Sequence, residues 1–244
     1  MNISSIKEIR EKYQYSPSDT WYARMVCRKF SVYFTWFFLR TPIIPNQITF
    51  LMILSGIIGG IFLGIKGHIT GLIGVLFLQL FLILDCVDGE VARCKKKFSS
   101  KGKFLDLVAN DIVFISIFSG LTSRVFSNNY EIFDFSLFHN PFVIISGISA
   151  IIFFLLSKLS SYHAKEVDER ISGNFLKSGR INIKIKSTIL RMVYNLSSPP
   201  PIIVIVTVGA VFNLFSYILF FYGIFFLMYY LASLGVKLKS NGVE

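Results

Sequence analysis

Long apolar segments constrain this chain more than any other feature of its sequence. The chain has 244 residues, of which 53% are hydrophobic and 26 are phenylalanine, and its mean hydropathy is +0.62. A helix needs about 20 apolar residues to cross a bilayer, and that criterion predicts an all-α membrane protein with six transmembrane helices. The predicted spans cover residues 46–65, 69–91, 104–122, 141–160, 200–213 and 215–236. The fifth span is the weakest, because only about 13 apolar residues separate Pro201 from Asn213.

The segment before the first span predicts an N-terminal interfacial amphipathic helix. Residues 18–40 mix cations with Trp21, Trp36 and several phenylalanines, a composition suited to the headgroup plane. We therefore expect residues 1–41 to form a cytoplasmic, interfacial segment, residues 42–236 a catalytic membrane domain, and residues 237–244 a tail. A second amphipathic stretch, 181–196, is either another interfacial helix or a cytoplasmic connector.

The distribution of cations predicts the orientation in the membrane. The net charge is +11, and Lys and Arg concentrate before the first span, in 92–103 and in 161–200. Lys66 and Arg124 are the only cations that we assign to the other side. Because cation-rich loops stay cytoplasmic, both termini and the 92–103 loop should face the cytoplasm. The cations suit anionic membrane lipids as partners and not nucleic acid, because they are distributed by loop.

Three carboxylates lie where one predicted span ends and the next begins. Asp85 and Asp88 share one helix face, whereas Asp106 and Asn110 share a face of the following helix. Charge at the end of a span is costly unless it binds something. Oxygen ligands suit divalent cations such as Mg²⁺, and Arg93 beside them suits phosphate oxygens. The pattern predicts metal-assisted chemistry on a diphosphate.

This pattern resembles the signature of the CDP-alcohol phosphatidyltransferases, D-x2-D-G-x2-A-R-x8-G-x3-D-x3-D. The matching residues are Asp85, Asp88, Gly89, Ala92, Arg93, Gly102 and Asp106, and Asn110 stands at the final aspartate. The resemblance implies a group transfer from a CDP-alcohol donor to an acceptor hydroxyl, with release of CMP. It also implies two Mg²⁺ or Mn²⁺ ions held by Asp85, Asp88, Asp106 and Asn110.

The same resemblance assigns the substrate-binding residues. Arg93 would hold the phosphates, and Gly89, Ala92 and Gly102 would let the donor approach the backbone. A similar Pro-Asn-x-x-Thr at this place in the family implies that Asn46 and Thr49 approach the cytidine. A structural alternative is that Asn46 or Thr49 caps the first span.

Asn110 is the departure from the signature, because an amide cannot accept the proton of the acceptor hydroxyl. Asp111 could substitute as the base, although one residue turns a helical side chain by about 100°. The chain could instead belong to a divergent subgroup with another base, or it could be impaired. We favour the divergent subgroup, because every other signature position is intact.

Several further expectations concern partners and location. The family implies a homodimer and a donor that is either CDP-diacylglycerol or a soluble CDP-linked head group. Acceptor binding in 161–180 is a minor hypothesis, and His68, His139 and His163 are read as loop or interface residues. The short chain suits a prokaryotic plasma membrane. The alternative functions are a silent CDP-alcohol-binding protein and an ion-coupled transporter.

Overall fold

The computed structural model describes residues 5–14, 20–128, 140–171 and 196–240, and this part of the chain is helical and contains no strand. A π-helical turn, Ala23–Cys27, leads into the second helix. The helices are α1 (Ile6–Lys12), α2 (Arg28–Leu39), α3 (Pro45–Gly64), α4 (His68–Lys95), α5 (Ser100–Asn128), α6 (Asn140–Ile171), α7 (Pro199–Phe212) and α8 (Phe215–Ser240).

Five of the described helices are long and apolar enough to cross a membrane. They are α3, α4, Ser100–Ser127 of α5, Pro141–Ala164 of α6 and Phe215–Gly235 of α8. Helix α7 has 14 residues, a length of about 21 Å, which is less than the thickness of about 30 Å of a bilayer core. It lies beside α4, where His68 Nε2 is 2.8 Å from the Ala210 carbonyl oxygen. The predicted fifth span, 200–213, and with it the total of six spans, therefore stays a prediction.

The two signature helices extend beyond their predicted spans. The apolar run 69–91 continues as helix to Lys95, and helix α5 begins at Ser100, ahead of the predicted residue 104. Hydropathy follows the bilayer, whereas backbone hydrogen bonds decide where a helix ends. Lys96 adopts a left-handed conformation with φ 52°, and Lys97 N–H donates to the Ala92 carbonyl at 3.0 Å. The end of α4 and the start of α5 define what we call the signature end of the bundle.

Helices α3, α4 and α5 pack closely because small residues line their contacts. A Cβ atom on Gly120 would lie 2.2 Å from the Gly60 carbonyl oxygen, and one on Gly74 would lie 2.9 Å from the Gly59 carbonyl oxygen. Neither distance leaves room for a side chain. Small residues at helix contacts are typical of membrane proteins, where close approach replaces the hydrophobic effect as the source of attraction.

Aromatic residues join α5, α6 and α8. The rings of Phe114 and Phe154 stack with centroids 3.5 Å apart, and Phe226 meets Phe114 edge to face at 5.1 Å. Phe118 and Tyr222 are fully buried in the same cluster. This cluster lies on α5 directly beyond Asp106 and Asn110, so it anchors the helix that carries them.

Arg124, expected as a cation of the opposite loop, is fully buried. It donates to the carbonyl oxygens of Leu63 at 2.5 Å and Gly67 at 2.7 Å, and its guanidinium lies 4.6 Å from the centre of the Phe215 ring. The residue therefore caps the end of α3, whose last carbonyls have no partner within the helix.

Some predicted features fall outside the described residues. His139, the segment 172–180, residues 181–195 of the second amphipathic stretch, and residues 241–244 of the tail belong to this group. The backbone of 165–170 continues α6, but the side chains of Lys165 and Arg170 are not described.

Candidate functional site

A cavity of about 530 Å³ opens at the signature end, between the start of α3, the end of α4 and the start of α5. It brings together eight of the predicted site residues, which are Asn46, Thr49, Asp88, Gly89, Ala92, Arg93, Gly102 and Asp106. These residues lie up to 60 positions apart in sequence. The close packing of α3, α4 and α5 therefore converts a linear motif and a distant Pro-Asn-x-x-Thr segment into one pocket.

Thr49 holds the carboxylate of Asp88. Its hydroxyl lies 3.0 Å from Asp88 Oδ2 and 3.3 Å from the Pro45 carbonyl oxygen. The alternative that Asn46 or Thr49 caps α3 is wrong. The side chain that bonds to the start of the helix is that of Gln47, whose Oε1 accepts from Ile44 N–H at 3.0 Å. Thr49 is thus free of the capping role and orients a signature aspartate.

Asp85 lies next to Asp106. The two carboxyl groups are within hydrogen-bonding range of each other, although Asp85 does not line the cavity. Within the described ranges, the acidic partners of ion pairs are Glu8, Glu90 and Asp111. The structure therefore describes no ion-pair partner for the carboxylates of Asp85, Asp88 and Asp106.

This donor set fits a hard divalent cation. Carboxylate oxygens are the ligands that Mg²⁺ and Mn²⁺ prefer, and clustered carboxylates repel one another until a cation binds. Among the described residues, no three His, Cys, Asp or Glu side chains are close enough together to hold an ion. The chemistry of the site suits a metal, and ligation would require the carboxylate side chains to move toward a common point.

Asn110 and Asp111 do not line the cavity. The Asn110 side-chain amide donates to the Asp106 carbonyl oxygen at 2.8 Å. Asp111 points toward α6, where its carboxylate pairs with Lys158. Asp111 follows Asn110 by one residue, so its side chain points in another direction around α5. That direction leads to the neighbouring helix α6 and not to the cavity.

Basic side chains line the same cavity as the carboxylates. Arg93 lines the cavity and its Nε–H donates to the Tyr13 carbonyl oxygen at 2.6 Å. Lys97 and Lys103 line the same cavity. Our sequence reading counted these two lysines only as loop cations, although the short connection from Arg93 to Gly102 obliges that loop to close over the pocket.

The two signature glycines have different surroundings. A Cβ atom on Gly102 would lie 2.8 Å from Asn46 Oδ1, so that a side chain here would displace Asn46. A Cβ atom on Gly89 would lie 3.4 Å from Arg93 Nη1, which is close to ordinary contact. Gly102 is therefore needed for the position of Asn46. Gly89 places no side chain in the part of the cavity beside Arg93.

The sequence reading missed Glu90, which lies inside the signature and is fully buried. Glu90 Oε1 accepts from Arg28 Nη1 and from the Ser31 hydroxyl, each at 2.7 Å, and Thr35 donates to Oε2. Because an ionised carboxylate is rarely buried without a partner, Glu90 within an apolar helix was the available signal. The contact ties α2 to the signature helix.

Lys95 adds a second tie to the N-terminal segment. Its ammonium lies 2.6 Å from the Ile43 carbonyl oxygen and 3.2 Å from that of Thr41. The turn between α2 and α3 therefore rests on the last residue of α4. His68 and His163 do not line the cavity; His68 is the first residue of α4 and His163 lies within α6, so neither is in a loop.

The arrangement suits a substrate with two properties. Arg93, Lys97 and Lys103 would donate hydrogen bonds to phosphate oxygens, and the carboxylates of the same cavity would bind metal ions that those phosphates also hold. A nucleoside diphosphate linked to an alcohol has both properties.

Two comparisons with known proteins were made, one with curated proteins and one with family models. No curated protein matches the chain. The family model described as CDP-alcohol phosphatidyltransferase matches residues 42–229, a range that begins just before α3 and includes every residue of the cavity. The chain belongs to the CDP-alcohol phosphatidyltransferase family.

Proposed function

We propose that this protein is a membrane transferase that moves a phosphatidyl or substituted phosphoryl group from a CDP-alcohol to an acceptor hydroxyl and releases CMP. The observation that carries the proposal is the convergence of Asp88 and Asp106 with Arg93, Lys97 and Lys103 on one cavity. Family membership supports the reaction class. Synthesis of phospholipids or related lipids is the setting that fits.

In this reaction the acceptor oxygen forms a bond to phosphorus as the bond from that phosphorus to the CMP oxygen breaks. The acceptor loses a proton and CMP carries away the bonding electrons. Bound Mg²⁺ or Mn²⁺ ions would supply charge neutralisation of the diphosphate, with Asp85, Asp88 and Asp106 as holders and Asn110 as a further oxygen donor.

The chain's own residues would bind and orient the donor. Arg93 would present a planar guanidinium to phosphate oxygens. Lys97 and Lys103 add two positive charges in the same cavity. Thr49 fixes the Asp88 rotamer through its hydroxyl. Asn46 lines the same cavity beside Gly102 and would contact the cytidine.

Asp88 and Asp106 both line the cavity, and Asp88 is bound by Thr49, so we propose that Asp106 receives the acceptor proton. Asn110 cannot take this role, and Asp111 is engaged with Lys158. We therefore propose a divergent subgroup in which Asn110 steadies the Asp106 turn of α5 through its hydrogen bond to the Asp106 carbonyl.

A catalytically silent CDP-alcohol-binding protein is the second candidate. Asn110 is the specific observation in its favour, since the final signature aspartate is absent. Such a protein would bind a CDP-alcohol in the same cavity without turnover.

The remaining features of the proposal concern assembly and location. We propose a homodimer in a plasma membrane of prokaryotic type, with six spans and with the cavity and both termini on the cytoplasmic side. The cation-rich 92–103 loop supports this orientation. The donor is CDP-diacylglycerol or a soluble CDP-linked head group.

The test is Mg²⁺-dependent CMP release by the purified protein in lipid, with a panel of CDP-alcohol donors and pooled alcohol acceptors. We expect release that falls by about 100-fold or more in Asp88→Asn, because loss even of an outer-shell partner of a metal ligand costs about 10–100-fold. Glu11→Gln, an exposed carboxylate change outside the cavity, should leave release unchanged.

The outcomes separate the two candidates. Donor-specific release that Asp88→Asn abolishes supports the transferase. Metal-dependent binding of a CDP-alcohol without release from any donor supports the silent protein. Absence of both binding and release contradicts the assignment of this cavity to a CDP-alcohol.

A further inference from the structure

An aromatic side chain lies at the cavity, in the short connection between α4 and α5. Phe98 lines the cavity and is 74% exposed. Among the described residues that line the cavity, it is the only aromatic one, and the others are polar, charged, small or proline. Phe98 therefore offers a flat apolar surface of aromatic size in a cavity that otherwise contains little of it.

The connection that carries Phe98 is fixed at both of its ends. On the α4 side, the left-handed turn at Lys96 closes the helix, and Lys97 N–H donates to the Ala92 carbonyl oxygen at 3.0 Å. On the α5 side, Ser99 Oγ accepts from Gly102 N–H at 2.9 Å and caps the helix. Phe98 is the single residue between these two anchored positions, so its place beside the cavity is set by backbone geometry.

The anchored residue Ser99 also relates Phe98 to Asn46. A Cβ atom on Gly102 would lie 2.8 Å from Asn46 Oδ1 and 3.1 Å from Ser99 Oγ, so both side chains lie against the same side of Gly102. Phe98 directly precedes Ser99 and lines the same cavity. The aromatic ring and the Asn46 amide therefore belong to the same part of the site.

These two side chains have complementary chemistry toward a nucleobase. A base has a flat face, which stacks on aromatic side chains, and a polar edge, which an amide can meet with both a donor and an acceptor. The carboxylates and cations of the cavity suit metal ions and phosphates, and they provide neither a stacking surface nor an amide. Phe98 supplies the missing face, and Asn46 supplies the edge contact.

We propose that Phe98 is a stacking platform for the cytosine base of the donor. This inference rests on the proposed function, because it places a cytidine nucleotide in the cavity. The signature specifies none of the eight residues between Arg93 and Gly102, so Phe98 is a feature of this chain and not of the family pattern. Stacking tolerates any base, so Phe98 contributes affinity, and selection of cytosine falls to polar groups such as Asn46.

The test compares two ligands that both carry phosphate and differ in the base. CMP contains cytosine, whereas inorganic diphosphate contains no base. Binding of labelled CMP to the purified protein in lipid is measured by equilibrium dialysis with Mg²⁺. Binding of diphosphate is measured by its displacement of the labelled CMP.

We expect Phe98→Ala to weaken CMP binding by about 5- to 150-fold, the range that corresponds to loss of one base–aromatic stack, with the affinity for diphosphate unchanged. Phe98→Trp keeps an aromatic ring and should retain CMP binding. Phe98→Leu is apolar without a ring and should lose most of it. Phe104→Ala is the matched control, because Phe104 is an exposed phenylalanine of α5 that does not line the cavity, and it should leave both affinities unchanged.

Three results would overturn the proposal. Unchanged CMP binding in Phe98→Ala would show that the base lies elsewhere and that the ring meets lipid or solvent. Equal loss of CMP and diphosphate binding would show that Phe98 only holds the connection in place. Both results leave the proposed function standing, because the native protein binds CMP in each. Absence of Mg²⁺-dependent CMP binding by the native protein would instead contradict the proposed function together with this inference.

Discussion

At the scale of single residues, the acidic side chains of the signature region have distinct partners. Asp88 is held by Thr49, Glu90 by Arg28, and Asp111 by Lys158. Asp85 and Asp106 face each other. Carboxylates that are paired with cations serve packing, whereas the three without a described ion-pair partner remain available for metal and substrate.

Asn110 gives the first prediction at this scale. Asn110→Asp restores the last signature position and adds a carboxylate one turn from Asp106, so we expect CMP release to stay equal or rise and the Mg²⁺ requirement to fall. The measurement is CMP release against metal concentration. A large loss would instead show that the hydrogen bond from the Asn110 side-chain amide to the Asp106 carbonyl oxygen is essential.

Asp111→Asn in the same assay should have little effect on CMP release. A large loss of release in this variant would indicate that Asp111 acts as the base.

Glu90 gives the second prediction. Glu90→Gln leaves the Arg28 charge buried without its counter-ion, and breaking such a pair costs about 3–5 kcal/mol. Thermal unfolding in detergent should show this loss. Replacing both partners, Glu90→Leu with Arg28→Met, should recover most of the stability, because well-packed apolar residues often replace a buried ion pair without loss.

A matched control for Glu90 is the exposed pair of Lys12 and Glu8. Lys12→Gln should not change the unfolding temperature measurably, because exposed ion pairs contribute little. Equal stability of Glu90→Gln and the native chain would contradict the assignment of Glu90 as the anchor of α2.

At the scale of helices, the site depends on how closely α3 and α5 approach each other. Helix α3 carries Asn46 and Thr49, and α5 carries Gly102 and Asp106. Their distance is set far from the cavity, where Gly120 rests against the Gly60 carbonyl. A change at this contact should therefore reach the site through rigid movement of a whole helix.

Gly120→Ala tests this dependence. Its Cβ atom would lie 2.2 Å from the Gly60 carbonyl oxygen, so the helices must separate, and overpacking of this kind costs about 1–3 kcal/mol. We expect a lower unfolding temperature and reduced CMP release. Gly235→Ala is the control, because a Cβ atom there would meet nothing within 4 Å. Native behaviour of Gly120→Ala would contradict the close contact.

At the scale of the whole molecule, the signature end and the opposite end of the bundle should lie on different sides of the membrane. Helix α3 alone runs from Pro45 to Gly64 and has 20 residues, a length of about 30 Å. The cation-rich side should be cytoplasmic.

Cysteine labelling tests the orientation. Native Cys27, Cys86 and Cys94 are buried, so an impermeant thiol reagent should report mainly on introduced positions. In intact cells we expect Lys66→Cys to be labelled and Lys101→Cys to be labelled only after permeabilisation. The reverse pattern would place the cavity on the outer side and contradict the proposed orientation.

The sequence by itself determined the helical membrane class and the family, and it supplied a set of candidate site residues, eight of which line the cavity. Apolar length identifies spans because bilayer thickness fixes how many residues a helix needs. Asp85, Asp88, Gly89, Ala92 and Arg93 are close in sequence, so helical periodicity alone places them along one end of α4. The spacing to Gly102 and Asp106 then requires a tight turn back.

Only the tertiary structure decided which of these side chains face the cavity and which serve packing. Asp106 and Asp111 are both aspartates of the same predicted helix. Contact with α6 pairs the Asp111 carboxylate with Lys158. Arg28 and Arg124 were counted among the cations that flank the spans, and Glu90 was not singled out, yet packing buries all three. The physical reason is that a buried charge is tolerated only where distant segments supply its partners, and the pairing of distant segments follows from helix packing, not from local pattern.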